Sequence, residues 1–334
     1  MLDGIDRQII HALQCSPRAS FRRIGRVVGV SEQTVARRYQ ALCRDGVLRV
    51  LGLVDPAAHG NAQWVARIRC RPDRVDPLAD ALARRPDIAF AHLASGGSEI
   101  ICIVRSPVAA PHDDVLLGQL PRASSVLDVS IDLLLHRFGP PGAADWVGYS
   151  GGLSPEQVRA LVGDRPEVTQ RGPLVRPTDE DALLLASLAQ DGRASHARLS
   201  ALTGWTKTRV ARRMRTLEAA GTLYYDVDLL SERLGHRLFA TLWLRVAPSR
   251  LQAVGEELAG HDQVPAALAT SGPHNVMAVV ICRDPEDLYR YLTTHVAAVR
   301  GIEGYEVSIS VRRLKQAASV IAGGRLVHPS SPTR

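Results

Sequence analysis

The sequence predicts an α+β protein in which two winged helix-turn-helix domains alternate with two ferredoxin-like βαββαβ domains, and three observations predict it. The chain repeats itself at a constant offset. The front of each repeat holds three capped amphipathic helices with a tight glycine turn between the last two. The back of each repeat runs strand, helix, strand, strand, helix, strand. Asp6, Leu13, Arg18, Ala19, Ser20 and Gly29 recur as Asp181, Leu188, Arg193, Ala194, Ser195 and Gly204, an offset of 175 (181 − 6 = 175). Without a gap it continues through Val35, Ala36, Arg37, Arg38, Leu42, Gly46, Leu48 and Gly60, which return as Val210, Ala211, Arg212, Arg213, Leu217, Gly221, Leu223 and Gly235. The expected division is helix-turn-helix at 1–54 and 177–229 and ferredoxin-like at 60–138 and 236–316. A linker rich in Gly and Pro is expected at 139–176, with one short helix begun by Ser154-Pro155-Glu156, and a flexible tail at 317–334.

From Asp3 the apolar positions Ile5, Ile9, Ile10 and Leu13 share one helical face and Pro17 ends the segment. Ser20 caps a second helix that turns Ile24, Val27 and Val28 inward, Gly29 breaks it, and Ser31 caps a third. That third helix buries Val35, Tyr39 and Leu42 and stops at Gly46. Copy two follows the same plan. Thr178 caps a helix carrying Leu184, Leu185 and Leu188, Ser195 opens the next, and Thr206 opens the third.

In a helix-turn-helix the last helix lies in the major groove with its N-terminal residues toward the base edges. The candidate DNA-binding residues are therefore Ser31, Gln33, Thr34, Arg37 and Arg38 in copy one, and Thr206, Lys207, Thr208, Arg209, Arg212 and Arg213 in copy two. Arg bonds guanine bidentately, Thr and Gln reach other base edges, and the Arg pairs also suit phosphates. A helix facing water is usually charged in any case, but the cap, the core spacing and the Arg pair all recur, which points to double-stranded DNA as a partner. After each third helix comes a β-rich piece, 47–54 and 222–227, readable as a wing or as a hinge strand. Pairing between the two pieces would cover both edges.

The back of copy one reads as strand 64–70, helix 75–84, strands 88–93 and 100–105, helix 112–120 and strand 126–136. Copy two gives strand 238–246, helix 250–259, strands 266–270 and 276–282, helix 286–299 and strand 305–314. Such a sheet has helices on one face. Its uncovered face, with apolar residues such as Trp64 or Ile68, is expected to meet another sheet, hence self-association through the αβ domains as a homodimer or larger. The middle strands are joined by Ser95-Gly96-Gly97-Ser98-Glu99 and by Ser271-Gly272-Pro273-His274-Asn275. Glycine lets a backbone approach a ligand, and exposed amides beside Glu99 or Asn275 suit the carboxylate and ammonium of an amino acid. Candidate effector-binding residues are thus Ser95, Gly96, Gly97, Ser98, Glu99, Ser271, Gly272, His274 and Asn275. A plain β-turn has the same spacing.

Asp3-Gly4-Ile5-Asp6-Arg7, the run from Ser31 to Arg38 leading into Leu42 and Gly46-Val47-Leu48, and the glycine hairpin at Ser95-Gly96 resemble the leucine-responsive/asparagine-regulator (Lrp/AsnC) family of transcription factors. The resemblance covers both copies, leaving the linker and the tail after Lys315 unmatched. It implies assembly through the αβ domains and binding of a small effector, typically an amino acid, near the glycine hairpins at interfaces between subunits. Members usually carry one copy per chain, so the doubled form implies a dimer in one polypeptide. Two departures stand out. The family's acidic residue after the hairpin glycine is shifted to Glu99 in copy one and replaced by Asn275 in copy two, and Pro273 stiffens the second hairpin.

Among 334 residues, 41 Lys+Arg outweigh 34 Asp+Glu for a net charge of +7, and Arg supplies nearly all the cations. That balance suits phosphate and guanine recognition, although Arg-rich codon usage explains it equally well. The five cysteines form no CxxC pair and no metal spacing, so neither zinc nor a disulfide framework is expected and a reducing cytoplasm fits. No apolar run approaches the roughly 20 residues that cross a bilayer, so no membrane association is expected. No metal, cofactor or catalytic residue is expected either. The competing class is an enzyme, because tetrapyrrole (siroheme) decarboxylases resemble the same family and some are fused two-copy chains. Their His-Asn-Tyr-x-Arg type segments are replaced here by Ala91-His92-Leu93-Ala94-Ser95 and Ala269-Thr270-Ser271-Gly272, without the Tyr/Arg set.

Overall fold

The structure, a computed structural model, describes residues 2–71, 73–108, 126–139, 146–163 and 173–328. Copy one opens with α1 (Gly4–Cys15), α2 (Phe21–Val28) and α3 (Glu32–Arg44). It continues with β1 (Leu48–Val54), β2 (Ala62–Cys70), α4 (Val75–Arg84), β3 (Ile88–Ala94), β4 (Glu99–Ser106) and β5 (Val126–Arg137). The helix expected at 112–120 lies outside the described residues. Next come α5 (Pro155–Val162), α6 (Ala182–Gln190), α7 (His196–Thr203) and α8 (Lys207–Ala219). The chain finishes with β6 (Leu223–Leu229), β7 (Leu238–Val246), α9 (Leu251–Ala259), β8 (Ala266–Thr270), β9 (Val276–Cys282), α10 (Pro285–Arg290), β10 (Ile302–Gln316), β11 (Ser319–Ala322) and β12 (Arg325–Val327). A π-helical turn (Tyr291–His295) and a 3-10 turn (Val296–Ala298) extend α10. The segment expected as a flexible tail thus contains two strands, because Ser319 and Gln316 pair across a tight turn on β10.

The helix starts are chemically marked. Asp3 accepts from the Asp6 amide while the Asp6 carboxylate accepts from the Asp3 amide, a reciprocal capping box. Ser20, Ser31, Ser195 and Thr206 each accept from the amide three residues on. Gly29 and Gly204 take the left-handed conformation that ends α2 and α7, with φ of 81° and 72°. Ile9, Ile10, Leu13, Ile24, Val35 and Leu42 are buried in the first three-helix segment, and Leu184, Leu188, Leu199, Val210, Met214 and Leu217 in the second.

The described residues form two compact units. The first gathers both three-helix segments, α5, β1, β6 and β12. Here β1 and β6 make an antiparallel ribbon in which Leu51 faces Asp226, its own equivalent at the repeat offset (226 − 51 = 175). A pseudo-twofold axis therefore passes through that pair, and Leu48↔Leu229 and Val54↔Leu223 are related by it. Each strand is half of a shared ribbon and not a wing of its own module, since a lone strand would leave an open edge. The ribbon is also swapped onto the partner helices. Gly52 passes α6 so closely that an added Cβ would lie 2.9 Å from the Leu188 Cβ.

Residues 146–163 of the linker lie on the first segment. Gln14 donates to the Trp146 carbonyl at 2.9 Å and accepts from the Tyr149 hydroxyl at 2.6 Å, and Gln157 donates to the Val27 carbonyl at 2.9 Å. Trp146, Tyr149, Leu153 and Leu161 are buried, so residues 146–163 act as a fourth layer on α1 and α2.

In the second unit the strand order β5-β2-β4-β3 from copy one is matched by β10-β7-β9-β8 from copy two. The sheets join edge to edge, β10 to β3 and β5 to β8, which closes a barrel-like sheet. Edge pairing removes both open edges, where face-to-face packing of separate sheets was expected. Parity is also corrected. Ile68 and Ala66 lie with α4 and its core, whereas Val65 joins Ala94, Ile101, Trp243, Leu268 and Met277 in the cluster that crosses both copies. α9 and α10 cover the corresponding face of copy two.

Candidate nucleic-acid interface and effector hairpins

The predicted reading residues divide into three groups. Ser31 and Thr206 are spent on capping: Ser31 Oγ accepts from the Thr34 amide at 3.1 Å and also lies 2.9 Å from Thr34 Oγ1, while Thr206 Oγ1 accepts from the Arg209 amide at 3.2 Å. Gln33 and Arg37 of α3, and Lys207, Thr208 and Arg212 of α8, stand exposed. Arg37, Lys207 and Arg212 have no ion pair among the described residues, so their charge is available to a duplex. Each pair four residues apart lies on one helical face.

Arg38 and Arg213 are different. Arg213 forks onto Asp181 at 2.8 and 2.6 Å, and Arg38 reaches Asp6 at 2.9 Å and Asp3 at 2.6 Å. Asp181 is buried, and burial alone would raise its pKa; the bonds from Arg213 and Thr178 outweigh that and hold it below the usual carboxylate range. These two arginines therefore staple the reading helix to the first helix of its own segment, and their charge is shared with those carboxylates. Arg209 is partly committed as well, paired with Glu180 at 2.5 Å and stacked 4.2 Å from the Trp205 ring centre.

Two positions flagged by the repeat without a role hold the segments together. Arg18 donates to the carbonyls of Gly192 and Ala194, and its equivalent Arg193 donates to those of Pro17 and Ala19. Arg193 also packs 4.5 Å from the Phe21 ring centre and 5.4 Å from that of Tyr39. This reciprocal exchange, with the β1–β6 ribbon, fixes the spacing of α3 and α8. Arg22, Arg23 and Arg26, exposed on α2, were missed because as a set they do not recur. Their equivalents are Ala197, Arg198 and Ala201, so a search for self-similarity discards them.

In the second unit the first hairpin turns through Ser95, Gly96 and Gly97 with φ of 53°, 68° and 91°. Ser95 and Gly96 are exposed, and an added Cβ on Gly96 meets no atom within 4 Å. Glu99, by contrast, is 3% exposed and fully engaged: Arg67 donates to it at 2.7 Å and Ser95 Oγ at 2.7 Å. Arg67 also bonds Glu306 and lies 4.5 Å from the Trp243 ring centre. Burial opposes its charge, but the two carboxylates hold its pKa above the ordinary Arg value.

Copy two shows the same commitment. Asn275 bonds both the amide and the carbonyl of Val246, at 2.9 and 2.7 Å, and Ser271 Oγ accepts from the Leu133 amide. At Gly272 a Cβ would lie 2.5 Å from the Asp132 carboxylate, which would have to move aside to admit it. His274 gives its carbonyl to Thr270 Oγ1, and its side chain is half-buried. Glu99 and Asn275 are thus both committed to partners within the protein. What remains of the first hairpin is the exposed backbone of Ser95 and Gly96 and the half-buried backbone of Gly97 and Ser98, since the Ser98 hydroxyl donates to the Ser95 carbonyl at 2.9 Å. His92 is half-buried beside Thr241 Oγ1 at 3.4 Å, and loss of water around the ring pushes its pKa down to about 4, so the ring is neutral at pH 7. Among the described residues no three His, Cys, Asp or Glu side chains converge as a metal site, and no helix is long and apolar enough to cross a membrane.

Residues 2–42 and 179–218 match the AsnC-type helix-turn-helix domain, and residues 240–320 match the Lrp/AsnC ligand-binding domain. The chain is similar to the HTH-type transcriptional regulator LrpA of Pyrococcus abyssi, 27% identical over 138 residues, covering 41% of this chain and 98% of that protein. It is likewise similar to LrpA1 of Halobacterium salinarum, 28% identical over 133 residues, covering 40% and 94%. In fold it resembles the crystal structure of the siroheme decarboxylase NirDL, with a TM-score of 0.60 and 14% identity over 94% of this chain and 93% of that one.

Proposed function

We propose that this chain, which carries AsnC-type helix-turn-helix segments and an Lrp/AsnC ligand-binding domain, is a sequence-specific DNA-binding transcriptional regulator of tandem two-copy form. The observation that carries the proposal is the pair of reading helices, α3 and α8, held in one unit by a twofold ribbon with Gln33, Arg37, Lys207, Thr208 and Arg212 exposed. A dimeric helix-turn-helix protein normally presents two such helices to half-sites about one helical turn, 10–10.5 base pairs, apart. Here one polypeptide supplies both, so the two half-sites are free to differ. Relatives named as transcriptional regulators support the reading.

The effector, an amino acid or another small metabolite, is proposed to bind against the backbone of Ser95, Gly96, Gly97 and Ser98, of which Ser95 and Gly96 are exposed. Mobility-shift titration of the full chain against promoter DNA tests the main reading. Arg37→Ala and Arg212→Ala should each weaken specific binding by about 1–3 kcal/mol and relax the preference at one base pair; equal affinity on all sequences for the unsubstituted chain would refute it.

A second reading is favoured by one observation, the fold likeness to NirDL along almost the whole of both chains. Under that reading the chain acts on a tetrapyrrole. Mixing it with an iron tetrapyrrole and recording the visible spectrum separates the two: a stoichiometric Soret shift with no duplex binding supports the enzyme.

A further inference from the structure

Beyond the equivalent pair Arg37 and Arg212, the two helix-turn-helix segments carry their unpaired cations on different helices. In copy one, α2 presents Arg22, Arg23 and Arg26, all exposed and without an ion pair among the described residues, while α3 begins with Glu32 and offers Arg37. In copy two the corresponding helix α7 has only Arg198, and it is paired with Asp191 at 3.3 Å. There α8 begins with Lys207 where copy one has Glu32 (207 − 32 = 175), and Arg215 stands where copy one has Gln40 (215 − 40 = 175). The positive charge has therefore moved from the reading helix to the helix before it. A second asymmetry coincides with the first. Residues 146–163 place α5 beside α2, and the two helices enclose an open groove of about 810 Å³ lined by Arg22, Arg23, Arg26, Val27, Glu156 and Gln157. Among the described residues no helix follows β10 in copy two.

We propose that Arg22, Arg23 and Arg26 grip the phosphates of a DNA duplex on the copy-one side, so that the chain holds its two half-sites by different means. In a helix-turn-helix the helix before the reading helix crosses the backbone, which is where α2 stands. On the copy-two side the phosphate contacts come from α8 itself, through Lys207 and Arg215. Glu32 then has a function. A negative charge at the start of α3 repels backbone and leaves Gln33 and Arg37 to the base edges, with α2 supplying the attraction that α3 lacks. Glu156 at the rim of the groove limits the grip to the α2 side. The inference rests on the DNA-binding reading above.

The test uses the full chain and a duplex recovered by selection from random sequence. Each lost phosphate contact lowers the slope of log affinity against log salt by about 0.9. The triple substitution Arg22→Gln, Arg23→Gln, Arg26→Gln should make that slope shallower by about 2 to 3 and keep the same preferred sequence. Hydroxyl-radical footprints should lose protection at one half-site only. Lys207→Gln with Arg215→Gln should lose it at the other. Since all five positions are exposed, melting temperatures should be unchanged, and Arg26→Gln alone, with a slope change of about 1, serves if the triple variant folds poorly. An unchanged slope in a chain that still binds DNA overturns this inference and leaves the regulator reading standing, as does protection lost equally at both ends. Saturable stabilisation by inorganic phosphate that the triple substitution abolishes, with an unaltered DNA slope, assigns the groove to a free anion and also overturns it. If the unsubstituted chain enriches no duplex, the parent reading fails first.

Discussion

Replacing Arg213 by Ala should cost far more stability than replacing its counterpart Arg38, although the two make the same kind of contact. Arg213 donates twice to a carboxylate whose side chain is 1% exposed, whereas Arg38 serves Asp6 and Asp3, which are 14% and 51% exposed. Without Arg213 the Asp181 charge keeps only the amide and hydroxyl of Thr178, at 2.8 and 3.0 Å. Breaking a buried pair from one side costs 3–5 kcal/mol; the partial exposure of Arg213 puts the loss near the lower end, about 3 kcal/mol. Water reaches the carboxylates around Arg38, and about 1 kcal/mol is expected there. For a unit of this size each kcal/mol moves Tm by roughly 2–4 °C, so drops of about 6–12 °C and about 2–4 °C should separate the variants in calorimetry at pH 7. The pH dependence follows from the depressed Asp181 pKa. The stabilisation is fully present above the unfolded carboxylate value of about 4 and disappears as pH falls through the lower folded value. The gap between Arg213→Ala and the parent chain should therefore close in acid. Equal Tm losses for the two substitutions, or a gap that persists unchanged to pH 3, would refute the staple.

Further outcomes follow from the same contacts. Arg18→Gln with Arg193→Gln removes four charge-assisted bonds between the helix-turn-helix segments, so affinity for a two-half-site duplex should fall at least tenfold while affinity for an isolated half-site holds, as read by mobility shift. Gly52→Val drives a side chain into Leu188 and Tyr225 and should destabilise the ribbon by about 1–3 kcal/mol, visible in denaturant unfolding. Glu99→Gln should lower stability by about 2 kcal/mol by weakening its bond with Arg67 and leave any effector-induced rise in Tm intact. Gly96→Val forces a branched side chain into a left-handed turn and should abolish that rise.

Helical periodicity and caps exposed the three-helix segments because those signals are local: Asp3, Ser20, Ser31 and Thr206 each satisfy amides within one turn. The strands were legible for the same reason. What escaped was long-range. Nothing in the spacing of Arg38 distinguishes an arginine aimed at DNA from one folded back 32 residues onto Asp6; only the co-recurrence of Asp6 with Arg38, as Asp181 with Arg213, carried that signal. Edge closure between β10 and β3 depends on which strands lie outermost, a property of topology. Glu99 reads as an exposed acid beside a turn until Arg67, 32 positions earlier on β2, is brought against it. The α2 arginines went unnoticed because a repeat rewards identity, and their meaning lies in the difference between copies.

The central claim is that two unlike reading helices in one polypeptide grip one duplex. Selection of bound duplexes from a random library by the purified chain tests it most directly. The account predicts enrichment of a site with two related but unequal halves, centred about 10–10.5 base pairs or a multiple apart, with Arg37→Ala altering one half and Arg212→Ala the other. Failure to enrich any sequence, or a single undivided site indifferent to both substitutions, would contradict it.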